Sequence, residues 1–166
     1  KDEGVGGGRS VSLVALDLGP TGKLLKPAGD LSFDDAVAAF AETIRIATST
    51  DLHLHSAPPD LVVIETMGDT LELKAAVIAA KENCSLPIYA TVALDESGRL
   101  LTGASVECVA SLLESLGVDA YGFNCGLGPD RMLPFVERLA AVSTKPIIVK
   151  PNAGMPRLVD GRTVFG

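Results

Sequence analysis

Five short, mostly apolar runs alternate with segments of helical periodicity along the chain, and this alternation restricts the fold more than any other feature. The runs are residues 11–16, 61–64, 87–92, 118–124 and 146–149. Each reads as a short strand, the first as one buried on both faces. Residues 36–47, 71–83, 105–116 and 131–142 read as helices. Ser32, followed by Asp34 and Asp35, predicts an N-cap, and Gly117 predicts a helix stop. The glycine-rich residues 1–10 and the polar, proline-ended residues 49–59 read as loops.

The expected strand ends, at positions 17, 65, 91, 125 and 152, recur about every 34 residues, an ordinary βα repeat. Eight such units would need about 270 residues, close to the size of a (β/α)8 barrel. The 166 residues hold five. The chain is therefore either an open five-stranded α/β sheet or roughly five-eighths of a parallel (β/α) barrel of the TIM type.

Composition removes several classes of function. The chain is 47% hydrophobic and 21% charged, enough apolar matter for a core and too little charge for a disordered chain. A net charge of −7, with no run of Lys or Arg, argues against nucleic acid. No apolar stretch reaches the roughly 18 residues of a membrane span, and no signal peptide opens the sequence, so neither a membrane nor secretion is expected. Cys84, Cys108 and Cys125 are odd in number and irregularly spaced, which fits a reducing, cytoplasmic setting without disulfides.

In parallel α/β folds the chemistry lies at the carboxyl ends of the strands. Asp17, Glu65, Thr91, Cys125 and Asn152 all fall there. A carboxylate closing an apolar strand must be solvated, paired or ligand-bound. The alternative reading is that Asp17 caps its own glycine turn and Glu65 the helix that follows it. Cys125 precedes a helix, where a thiolate is favoured, and suits a nucleophile, a soft metal ligand or simply a small buried apolar residue. Cys84 and Cys108 read as helix residues without a role, and His53 and His55 as surface residues. The Gly19-Pro20-Thr21-Gly22 turn has the shape of an anion cradle but lacks the lysine of a P-loop, and no strand precedes Gly6-Gly7-Gly8.

The strings LDLGPTGKLLKPAGDLSFDDA, VVIETMGDTLELKAA, DESGRLLTG, GFNCGLGPDRMLP and VKPNAGMPRLVDGRTVF, in this order, resemble the homocysteine-binding barrel of cobalamin-dependent methionine synthases. The resemblance runs from about Val11 to Phe165 and departs at residues 46–59. It implies that residues 1–166 are a partial barrel domain, truncated at both ends, supplying strands three to seven. It implies a zinc-dependent homocysteine S-methyltransferase, in which zinc held by three thiolates activates the homocysteine thiol. That thiol takes a methyl group from methylcobalamin, giving methionine. Cys125 matches the first thiolate, while the vicinal Gly-Gly-Cys-Cys pair and the amino-terminal Asp-Gly substrate turn are not among these residues. Glu65 matches the acidic residue that holds the amino-acid end of homocysteine. Asn152 matches the asparagine of the PNAG turn, and Asp17 and Thr91 line the same mouth. Cobalamin and folate would be bound by other domains of the full-length enzyme. With one ligand of three, these residues alone are expected to hold zinc weakly and to be inactive. Alternatives are a relative using betaine or S-methylmethionine as donor, a non-catalytic binding remnant without zinc, or an open α/β protein with an unrelated ligand.

Overall fold

A computed structural model describes residues 12–49, 58–154 and 156–165. Strand β1 (Ala15–Leu18) leads to helix α1 (Phe33–Thr48), β2 (Leu61–Met67) to α2 (Thr70–Asn83), β3 (Ile88–Val92) to α3 (Val106–Ser115), and β4 (Ala120–Asn124) to α4 (Pro129–Ala140). Strand β5 (Ile147–Lys150) completes one sheet of order β1-β2-β3-β4-β5, parallel throughout. Sequential strands lying side by side are what right-handed βα crossovers produce.

Local chemistry fixes the helix starts. Ser32 Oγ accepts from the Asp35 amide, Asp69 from the Leu71 amide, and Ser105 from the Cys108 amide. Helix α4 has no side-chain cap and starts instead on Pro129, whose missing N–H would have been unpaired there. The core lies between the sheet and its helices. Val62, Ile64, Ala90, Tyr121 and Phe123 face Ile44, Leu73, Val77, Val109 and Leu113, all buried.

The other face of the sheet is concave and open. In-register pairing places Asp17 beside Val63 and Tyr89, Thr91 beside Gly122 and Ile148, and Asn124 beside Lys150. Asp17 and Lys150 on this face are exposed, and Val63, Glu65 and Tyr89 half-buried. The outer edges of β1 and β5 carry no neighbouring strand among the described residues. Gly122 lets β4 approach β5 closely, since a Cβ there would stand 1.9 Å from the Ile148 carbonyl oxygen.

Several expectations are corrected. The first strand is Ala15–Leu18 rather than residues 11–16, so Asp17 lies inside it. Glu65 likewise lies within β2, which runs on to Met67 past an irregularity in its pairing with β3. Residues 118 and 119 precede β4, and the Asp119 carboxylate accepts from the Ile88 amide at 2.8 Å. A hairpin of β6 (Pro156–Val159) and β7 (Arg162–Phe165) follows β5. Its two-residue Asp160-Gly161 turn has φ of 51° and 75°, the left-handed pair that matches hairpin twist. His53 and His55 lie outside the described residues.

Candidate functional site

The carboxyl end of the sheet is shaped by two non-glycine residues in the left-handed region, Thr66 (φ 62°) and Cys125 (φ 60°). Such conformations are costly, above all for β-branched threonine, and persist only where surrounding contacts enforce them. Asn124, buried at the end of β4, enforces the first. Its Oδ1 accepts from the Thr66 amide at 2.8 Å and its Nδ2 donates to Thr66 Oγ1 at 2.6 Å. Cys125 is held by its own backbone, donating to the Lys150 carbonyl at 3.1 Å and accepting from the Leu127 amide at 2.8 Å. The Asn152 amide donates to the Leu127 carbonyl at 3.0 Å, joining the segment after β5 to the same turn. Gly126 (φ 72°) completes the turn, packed so that a Cβ would meet the Leu94 carbonyl at 2.7 Å.

Cys125 is thus exposed at the mouth, with Asn152 half-buried and tied to its turn through the backbone. Glu65 extends from the concave face and accepts from Lys150 Nζ. Asp17 lies within electrostatic reach of both. Partial desolvation, then the negative Glu65, raises its pKa, while Lys150 and the Leu18 amide pull it down less strongly. Thr91 Oγ1 is buried and has no hydrogen-bond partner among the described residues. A buried orphan hydroxyl is costly, and a ligand group is one thing that would satisfy it.

Two alternative readings of these residues are resolved. Glu65 does not cap the helix after it, because Asp69 does. The Gly19–Gly22 turn holds no free anion cradle, because the Thr21 amide and hydroxyl both donate to buried Glu72 Oε1, at 2.7 and 2.6 Å. Beside Thr66 and this turn, a cavity of about 380 Å³ is lined by Pro20, Leu24, Gly68 and Leu101. A larger one, about 590 Å³, opens at the amino-terminal ends of β3 and β4, away from the mouth.

Sequence reasoning missed Thr66, Asn124 and Lys150. The last two share the pleat of the concave face, so strand alternation would have found them. The left-handed turn at Thr66 leaves no sequence signal. Cys108, read as having no role, has a pKa lowered chiefly by the Ser105 hydroxyl at the start of α3. Cys84 donates to the Ala80 carbonyl at the end of α2.

As a metal centre the mouth is incomplete. Among the described residues no three His, Cys, Asp or Glu side chains are grouped to hold an ion. Cys125 offers one soft donor, where catalytic zinc needs about three protein ligands. These residues do not by themselves fit a zinc ion.

A parallel sheet with helices on one face, an open concave face and its polar residues at the carboxyl end defines part of a TIM-type (β/α) barrel. A family model described as homocysteine S-methyltransferase matches residues 3–165, and the chain belongs to that family of methyltransferases. The methionine synthases of Mycobacterium tuberculosis and Mycobacterium leprae are each 33% identical to it over 116 residues, 67% of this chain. The chain spans 10% of the length of those relatives. The homocysteine methyltransferase MmuM from Escherichia coli, in its apo form, superposes with a TM-score of 0.67 at 25% identity, over 86% of this chain and 49% of that one. The metallated form of the same protein gives 0.64 at 23% identity.

Proposed function

We propose that this chain is the part of a homocysteine S-methyltransferase domain that carries the amino-acid pocket and one metal-binding thiol. The reaction is methyl transfer to the sulfur of homocysteine: the sulfur–methyl bond forms, the donor–methyl bond breaks, and the thiol proton is lost. Family membership across residues 3–165 carries this reading, with Cys125, Glu65 and the orphan Thr91 hydroxyl at one end of one sheet as support.

In this reading the carboxylates of Glu65 and Asp17 attract the substrate ammonium. Thr91 Oγ1 offers a hydrogen bond to its polar head. Asn152, through its backbone bond to Leu127, keeps the Cys125 turn in place. Cys125 would supply one thiolate to a zinc site whose other donors lie beyond the described residues, and zinc held there would favour the thiolate form of the substrate. Methylcobalamin is the donor, bound with folate by other domains of a longer cytoplasmic enzyme. The mycobacterial methionine synthases, about ten times the length of the aligned segment, support that arrangement.

The test uses the full-length protein. Metal analysis and a homocysteine methylation assay should find near-stoichiometric zinc and activity with methylcobalamin. Cys125→Ser should lower zinc occupancy sharply and activity by more than about a hundredfold. The single soft donor favours a second reading, a binding remnant without metal. Full-length protein that binds homocysteine but neither zinc nor a methyl donor would establish that one instead.

A further inference from the structure

Lys150 is a cation on a face otherwise marked by carboxylates. It stands on β5, and its Nζ donates to Glu65 Oε2 on β2. Two strands lie between β2 and β5, so this ion pair crosses the mouth rather than following one strand pair. Thr91, with its buried and unpartnered hydroxyl, stands on β3 between them. Asp17, on β1, is the second anion. The Lys150 side chain is 48% exposed and that of Glu65 28% exposed, and a pair so open to water contributes little to stability. Stability alone therefore gives no reason for a lysine here.

A free amino acid presents an ammonium and a carboxylate on one carbon. Glu65 and Lys150, paired with each other here, present the complementary charges. We infer that Lys150 binds the α-carboxylate of the amino-acid substrate, and that its pairing with Glu65 is the ligand-free arrangement the zwitterion replaces. The substrate ammonium then takes Glu65 and the substrate carboxylate takes the released Lys150. One ion pair becomes two. Lys150 thereby selects intact amino acids over simple aminothiols, which would displace it and give nothing in return. This inference rests on the homocysteine reading above.

Calorimetric titration of the full-length protein tests it with two ligands: homocysteine, and its decarboxylated analogue, which keeps the ammonium and the thiol. Wild-type protein should prefer homocysteine by at least about tenfold. Lys150→Met should weaken homocysteine about tenfold while the analogue binds as well as before or tighter, because Glu65 is then free. Lys150→Arg should recover most of the homocysteine affinity. A purely structural role would weaken both ligands alike. Equal losses, or no loss of homocysteine affinity, overturn the inference while leaving the homocysteine reading intact. Wild-type protein that does not bind homocysteine overturns that reading, and the inference with it.

Discussion

Asn124 grips Thr66 at two points, accepting from its amide at 2.8 Å and donating to its hydroxyl at 2.6 Å across the strand between them. The carboxamide holds a β-branched residue at φ 62°, a conformation that threonine does not choose for itself. Asn124 is 5% exposed, so removing its carboxamide leaves the Thr66 amide without its partner at a largely buried position. Asn124→Ala should cost about 1–3 kcal/mol, measured by urea unfolding, with Thr66 relaxing out of the left-handed region. A change within a few tenths of a kcal/mol would show that Thr66 is held by something else.

Gly126→Ala should be more damaging than a methyl group in open space. The residue sits at φ 72°, and the new Cβ would meet the Leu94 carbonyl, a backbone atom, at 2.7 Å. A loss of about 1–3 kcal/mol is expected, with displacement of the Cys125 turn. Faster thiol labelling at Cys125 in the variant would report that displacement. Wild-type stability in the variant would mean that the loop after β3 gives way freely.

The raised pKa of Asp17 has a defined sign in stability. Its folded-state value lies above the ordinary 3.8, so the folded chain holds the proton more tightly than the unfolded one. Ionisation therefore weakens the fold: the penalty is absent below pH 3.8, grows as pH rises through the folded value, and is constant above it. Asp17→Asn should stabilise the chain at pH 7 by less than about 1 kcal/mol, given its exposure, and have no effect at pH 3. Urea midpoints at the two pH values decide the matter, and stabilisation equal at both would refute the assignment.

Glu107 behaves oppositely. Its pKa falls from 4.5 to about 2 through its own amide at the start of α3, the Ser105 hydroxyl and the Arg138 guanidinium. Arg138 grips it with two nitrogens, at 3.0 and 2.9 Å, tying α4 to α3. A lowered carboxylate pKa contributes stability that is complete above pH 4.5 and fades as pH falls toward 2. Arg138→Ala should lower the thermal midpoint slightly at pH 7 and by much less at pH 2, where Glu107 is largely protonated in the unfolded chain and about half so in the folded one. A drop that persists undiminished at pH 2 would assign the effect to lost packing on Phe135, over which the guanidinium lies at 5.8 Å.

The helices were largely legible because their signals are local. Ser32 and Gly117 mark ends that neighbouring residues enforce, and Ser32 caps α1 as its position predicts. The Asp160-Gly161 hairpin is equally local, but it lies after the fifth strand, outside the βα alternation. Strand limits read less well. In the sequence Asp17 and Glu65 read as closing their strands, since polarity marks the end of an apolar run. On a sheet with one open face, polar residues also belong inside a strand at every second position.

The sequence by itself determined the βα alternation, the parallel sheet and the placing of Asp17, Glu65, Thr91, Cys125 and Asn152 toward one end of it, because periodicity and capping act over a few residues. Only the tertiary structure decided that Glu65 pairs with Lys150, 85 residues away, and that Asn124 holds Thr66 across 58. Those contacts depend on strand register and on two left-handed turns. Both are set by the packing of whole strands against one another, which no short stretch of chain encodes.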